Sequence, residues 1–255
     1  MVVTPEQVIQ YHEQGYCILE RVIPEDHLTN LRAECGRYID MMHAEMDQQG
    51  TDVLGISHRN KRYFISRKHE ESALVTAFLF SDVMAEISKA LLGENVYLIW
   101  EQYVVKSAEK GMKFSWHQDS GYVTAREDVP HKPYLSCWCP LDDATIENGT
   151  VYVLPFDRAG TRDIIPHEIE DGSNDRVGYF GDDPGVPAVV PAGSVVAFTS
   201  VTFHRSGANT TNKMRRVYLA QYSSEPIMKA DGSEPWGLVT PFVQDGKNMT
   251  KVRAG

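Results

Sequence analysis

No stretch of this chain approaches the ~20 consecutive apolar residues that a membrane-spanning helix needs. The N-terminus carries no basic segment leading into an apolar core, so no secretory signal is expected. Basic charge is in deficit, with 25 Lys+Arg against 35 Asp+Glu and a formal net charge of −10. That balance argues against a nucleic-acid groove or an anionic membrane surface as partner. Cysteine is scarce. Cys17, Cys35, Cys137 and Cys139 show no disulfide-framework spacing, so free thiols and a cytoplasmic location are expected. Cys137 and Cys139 resemble half a zinc site, but no second pair completes it, and both are read as packing residues. The Asn-x-Ser/Thr matches at Asn148, Asn209 and Asn248 are read as chance. A Gly-rich phosphate loop, a serine nucleophile motif and a cysteine nucleophile signature are all missing.

What is there suits one large domain: 255 residues, 42% of them apolar, with no internal repeat and no linker. Thr4-Pro5-Glu6-Gln7 reads as a capping box with Pro at the first helical position; Gly15 ends that helix, and Tyr16 to Leu19 follows as a strand. A longer helix begins near Pro24, with Leu28, Leu31, Cys35, Tyr38, Ile39, Met42 and Met46 at helical spacing. Residues 47–60 read as a loop and Lys61 to Ser66 as a strand. Ser81 caps a helix that stops at Gly93. From Asn95 the pattern changes to strands: 96–106, 114–123, 134–141, 150–154, 186–190, 194–199 and 215–223. The Asn148-Gly149 turn calls for positive φ. Residues 157–185 form a long charged connection, read as a lid over the site, and the tail from Glu225 reads as irregular. The fold class is therefore mainly β with flanking helices (α+β), a sandwich or barrel, with a helical part over about 1–93, a β core over about 94–225 and a tail over 226–255.

The chemistry centres on Trp116-His117-Gln118-Asp119. On a strand, His117 and Asp119 point the same way and Gln118 the other, so an imidazole and a carboxylate can hold one divalent metal. His204 is the best candidate for the third ligand. Two histidines and a carboxylate on one face of a metal leave positions open, which suits Fe(II) that must bind an organic cosubstrate and O2 together. Arg215, eleven positions after His204, opens a strand and can grip a dicarboxylate bidentately. Other His and carboxylate pairs serve less well. His43/Glu45 and His69/Glu71 lie in helix-like stretches, where residues two apart point away from each other, and they are read as solvated polar faces. His167 and Glu170 lack a third partner, and His131, between prolines, is read as exposed.

Taken together, Trp116-His117-Gln118-Asp119, Trp138, Glu147-Asn148-Gly149, His204-Arg205-Ser206-Gly207-Ala208-Asn209 and Arg215 resemble the phytanoyl-CoA dioxygenase family of non-haem iron, 2-oxoglutarate-dependent oxygenases. The resemblance covers about residues 4–225. Arg205 stands where the family usually has Gly, and Thr150 where Cys, Pro or Ala is more usual. It implies a double-stranded β-helix, or jelly roll, with N-terminal helices on one side. It implies that His117, Asp119 and His204 bind iron, that Arg215 and Ser206 hold the distal carboxylate of 2-oxoglutarate, and that Gln102 and Trp138 contact or wall the cosubstrate. Halogenating relatives replace the carboxylate at position 119 with Gly or Ala, so Asp119 implies hydroxylation or a related oxidation, with release of succinate and CO2.

The substrate is expected to be a small-molecule metabolite or natural-product intermediate, with Arg62, Phe114 and Tyr122 as candidate contacts. Arg59, Lys61, Arg62, Arg67 and Lys68 form only a modest basic cluster for an acyl-CoA, and Glu70 and Glu71 follow it directly. The alternative is a non-catalytic jelly-roll binding protein, or a cupin-type metalloenzyme that does not use 2-oxoglutarate. Arg215 discriminates, because a bare metal-binding site has no need of it.

Overall fold

The computed structural model describes residues 1–108, 113–124, 129–170 and 175–250. Among the described residues the helices are α1 (Pro5–Gln14), α2 (Glu25–Gln49), α3 (Ala73–Leu79), α4 (Asp82–Leu92), α5 (Asp119–Thr124) and α6 (Phe156–Ala159). The strands are β1 (Tyr16–Leu19), β2 (Val53–Leu54), β3 (Ser57–His58), β4 (Arg62–Ser66), β5 (Val96–Lys106), β6 (Phe114–His117), β7 (Leu135–Pro140), β8 (Val151–Leu154), β9 (Glu168–Ile169), β10 (Arg176–Val177), β11 (Val186–Pro187), β12 (Val195–Thr199), β13 (Phe203–Ser206), β14 (Arg215–Ser223), β15 (Thr240–Gln244) and β16 (Lys247–Asn248).

Local signals place the first helices. Thr4 and Gln7 close the expected capping box on α1, and Gly15 ends it at φ 86°. Ser72 and Ser81 accept from the backbone amides of Val75 and Met84 to cap α3 and α4. The strands make a large antiparallel sheet in the order β1-β12-β7-β14-β5-β4-β3-β2, with β15 also on β5, and a smaller one in the order β11-β8-β13-β6. Alternation along β14 divides the molecule into layers. Tyr218, Ala220 and Tyr222 face the helices and pack with Leu31, Cys35, Met84 and Ile87. Val217 and Leu219 face the other way and pack with Trp138, Val151, Val153, Val196 and Phe198, between the two sheets. Each such fully buried side chain contributes roughly 1.5–3 kcal/mol of transfer free energy. Two sheets face to face under a helical layer make the jelly roll that the motif pattern implied.

Several boundaries differ from expectation. The loop expected over 47–60 holds the last turn of α2 and the β2–β3 hairpin. The strands expected at Tyr16 to Leu19 and Lys61 to Ser66 are β1 and β4, and both join the large sheet, so the part over about 1–93 also contributes strands to the β core. The tail is not irregular: β15 pairs with β5, and Phe242 and Val243 are buried. The strand expected over 114–123 ends at His117, and α5 takes over. The 157–185 connection contains α6 and the β9–β10 hairpin, which lies against β6 where the Gly178 amide donates to the Trp116 carbonyl at 2.9 Å.

Gly149 shows how tightly the sheets close beneath the site. It sits at φ 79°, and a Cβ there would lie 2.4 Å from the Gly207 carbonyl oxygen. Gly149→Ala adds a left-handed backbone penalty to a backbone clash, an expected loss of about 2–4 kcal/mol. Thermal unfolding should show a midpoint lower by roughly 5–10 °C; an unchanged midpoint would mean the turn relaxes freely.

Candidate metal centre

β13 pairs with β6 so that His204 stands directly opposite His117. Their rings lie 4.1 Å apart between centroids. Asp119 joins them by a route the alternation argument did not foresee. The chain leaves β6 at His117, turns at Gln118, and opens α5 with Asp119. The buried Gln118 side chain fixes that turn. It donates to the carbonyls of Val201 (2.6 Å) and Asp163 (2.8 Å) and accepts from the Ile165 amide (2.8 Å). The Gln118 backbone N–H donates to His167 Nε2 at 2.9 Å. His167 is thus a brace for the turn rather than a ligand, and Glu170 accepts from Ser115 Oγ at 2.8 Å.

The donor atoms of His117, Asp119 and His204 all lie within 4.8 Å of one another. Each histidine is oriented by its other nitrogen. His117 Nδ1 donates to the Ser115 carbonyl at 2.7 Å and His204 Nδ1 to the Thr202 carbonyl at 3.1 Å. Both tautomers therefore present an unprotonated Nε2 to the centre. Burial, followed by neighbouring His204, pushes the His117 imidazole down to about 4, against the opposing pull of Asp119. The ring is neutral, the ligating form, at physiological pH. Asp119 Oδ2 accepts from Ser136 Oγ (2.5 Å) and Gln221 Nε2 (2.9 Å), while Oδ1 points to His204 Nε2 at 3.6 Å. One carboxylate oxygen is held by the sheet and the other is turned to the centre.

Gln221 and Ser136 were not singled out in the sequence. Their signal is parity: Gln221 shares the inward face of β14 with Arg215, and Ser136 that of β7 with Trp138. Gln221→Leu should weaken divalent-metal affinity about 10–100-fold without unfolding the protein. Metal titration followed by calorimetry checks this, and wild-type affinity would remove Gln221 from the role.

Arg215 follows the same parity. It faces the space between the sheets, whereas Arg216 faces the helical side and forms a two-pronged pair with Asp142 at 2.6 and 3.0 Å. Arg215 is 1% exposed, its guanidinium lies 5.5 Å from the Trp138 ring, and its Nε has no hydrogen-bond partner. Burial pulls its pKa down to about 10, which leaves it charged at neutral pH. Ser206, on β13 two residues beyond His204, is buried and accepts from Lys106 Nζ at 2.8 Å. Gln102 lies in register with Leu219, on the same inward face as Trp138.

The candidate substrate contacts flank this centre. Arg62 pairs with Lys106 in register and with Asp175 at 3.6 Å. Phe114 packs edge-on against Phe64 at 5.3 Å. Tyr122, 38% exposed, sets its ring edge-on to His117 at 5.4 Å. Two of the rejected histidines need correction. His69 is not on a solvated face; it is buried, and Nδ1 lies 3.2 Å from Glu101 Oε1, whose other oxygen accepts from Tyr218. His131 is not exposed; it is half-buried, with Nε2 2.9 Å from Ser120 Oγ.

A family model described as phytanoyl-CoA dioxygenase (PhyH) matches residues 11–217. The chain belongs to this family. It is 24% identical over 251 residues to the peroxisomal phytanoyl-CoA dioxygenase of Mus musculus, covering 91% of this chain and 72% of that one. Among solved structures, EvdO2 from Micromonospora carbonacea var. aurantiaca in complex with 2-oxoglutarate shares the fold with a TM-score of 0.69 and 22% identity, over 92% and 95% of the two chains. EctD from S. alaskensis with 2-oxoglutarate and 5-hydroxyectoine gives a TM-score of 0.69 and 21% identity, over 93% and 83%.

Proposed function

We propose that this protein is a non-haem Fe(II)- and 2-oxoglutarate-dependent dioxygenase that hydroxylates an unactivated C–H bond of a small-molecule metabolite or natural-product intermediate. The observation that carries the reading is a three-ligand cluster beside a buried guanidinium with an unused nitrogen. The donor set fits iron: two imidazoles and one carboxylate, each oriented from behind. The arginine fits a carboxylate, because a buried N–H without an acceptor is costly until an anion arrives. EvdO2 and EctD, both bound to 2-oxoglutarate, are consistent with that assignment.

When bound, iron, 2-oxoglutarate and O2 would supply the oxidising chemistry, with succinate and CO2 released. The rest falls to the chain. His117, Asp119 and His204 hold the metal; Arg215, with Ser206, fixes the far end of the cosubstrate; Trp138 and Gln102 wall it. Phe114, Tyr122 and Arg62 border the substrate's approach, and the β9–β10 hairpin serves as a lid that limits water. The intact carboxylate at position 119 favours hydroxylation over halogenation. A bare metal-binding jelly roll would leave Arg215 buried without purpose. Four buried free thiols fit a cytoplasmic location, and among the described residues no helix is long and apolar enough to cross a membrane.

Adding Fe(II) and 2-oxoglutarate under anaerobic conditions should give a visible charge-transfer band. With metal shown to be bound, a spectrum that 2-oxoglutarate leaves flat would defeat the reading.

A further inference from the structure

Trp100 stands on β5 directly opposite Gln221, which on its other side faces Ser136 of β7. Gln221 and Ser136 both donate to the Asp119 carboxylate, so this row of the large sheet borders the candidate metal centre, and Trp100 is its next member. The Trp100 indole N–H donates to Gln102 Oε1 at 3.3 Å. With that polar atom engaged, the ring offers the site only apolar surface. A second indole meets it. Trp236 lies 6.1 Å from Trp100 between ring centroids, inclined at 41°. It comes from the tail, beyond the residues 11–217 that the family model matches.

The tail is fastened where it delivers this ring. The Trp236 amide donates to the Ile227 carbonyl at 2.9 Å, and the Leu238 amide to the Ile99 carbonyl at 2.8 Å. Between them Gly237 runs so close to β5 that a Cβ would lie 2.6 Å from the Ile99 carbonyl oxygen. Ile99 directly precedes Trp100, so the tail is tied to β5 beside the first indole. Both indoles stay half-buried, whereas Ile99, Val123 and Ile227, in the cluster against which Trp236 packs, are fully covered. Open indole surface is costly in water, and a ligand that covers it recovers that cost. The row of Ser136, Gln221 and Trp100 carries no charge, and Arg215 lies six residues from Gln221 along β14, about 20 Å at the usual strand rise. We infer that Trp100 and Trp236 form the substrate-binding wall of this site, and that the substrate presents a neutral, flat ring system to it. Ring-on-ring contact adds to simple burial, a gain that a flexible chain of equal hydrophobicity does not make. This rests on the oxygenase reading and adds to it a class of substrate and a specificity residue from the tail.

The test uses 2-naphthol and 1-octanol, two neutral alcohols of similar hydrophobicity, one flat and one a flexible chain. Each is titrated by calorimetry into the full chain loaded anaerobically with Fe(II) and 2-oxoglutarate. The wild type should bind 2-naphthol about fivefold or more tighter than 1-octanol. Trp236→Leu should erase that preference, weakening 2-naphthol about fivefold while leaving 1-octanol within about twofold. Trp236→Phe keeps a ring and should stay within about twofold of wild type for both. A ring that serves packing alone would lower the melting temperature on substitution and leave the preference intact. That result, no binding of 2-naphthol by the wild type, equal weakening of both alcohols, a Phe variant as weak as the Leu variant, or failure of both variants to fold would overturn the inference. A wild-type protein with bound metal and no 2-oxoglutarate charge-transfer band would instead remove the proposed function itself, and that is read before either alcohol is added.

Discussion

Asp119→Ala should abolish substrate hydroxylation and lower Fe(II) affinity by at least about 100-fold, more than the loss expected from any residue that only orients a ligand. The carboxylate is the one anionic donor in the cluster, because an imidazole ligates a metal without carrying charge, so its removal takes away the only formal charge that offsets the metal. It also strands Ser136 and Gln221, which both donate to Oδ2. Asp119→Asn separates these effects. The amide can still accept from one of the two neighbours and preserves the shape of the α5 entry, yet lacks the charge. It should be nearly as inactive as the alanine variant while melting close to wild type. Metal content after dialysis and succinate production give the two readouts. An asparagine variant that keeps iron and turns over within about fivefold of wild type would show that Asp119 supports the turn and does not ligate.

The candidate metal triad was legible because its residues are chemically conspicuous and close in sequence or motif, but the reason first given for the His117–Asp119 pairing was wrong. Strand alternation was to bring the two side chains to one face; the turn at Gln118 and the start of α5 do so instead. That turn depends on Gln118 meeting Val201, Asp163 and Ile165, all more than forty residues away. No local pattern carries such information. The same holds for β15, whose strand character comes from pairing with β5 rather than from alternation in the tail. His69 was misread for a related reason. Its partner Glu101 lies on β5, and a buried histidine–carboxylate pair looks like two surface residues until the sheet is assembled. By contrast, the choice of Arg215 over Arg216 rested on the eleven-residue offset from His204, with strand parity allowing only one of the two to reach in; Arg215 does face between the sheets, and Arg216 engages Asp142 on the opposite face.

Arg215→Met should remove detectable 2-oxoglutarate binding while leaving the iron site intact. Truncating one partner of a buried charged pair costs about 2–5 kcal/mol, or roughly 30- to several-thousand-fold in affinity. Among the described residues the guanidinium lies by the Trp138 ring and donates to the Val104 carbonyl, with no hydrogen bond or ion pair to His117, Asp119 or His204, so metal content should be unchanged. The ligand-free protein responds in the opposite direction. Burial that lowers the Arg215 pKa to about 10 corresponds to a native-state penalty of roughly 3 kcal/mol. Because the folded value lies below the unfolded one, this penalty is relieved only as pH rises above about 10. It is therefore fully present at neutral pH, where the group remains charged. Methionine fills much of the same space without the charge and leaves no unpartnered Nε. The variant should melt at or above the wild-type temperature without ligand and gain nothing when 2-oxoglutarate is added, whereas the wild type should be stabilised. Loss of iron together with the cosubstrate, or a clear fall in ligand-free stability, would assign Arg215 to the architecture of the sheet instead of to the cosubstrate.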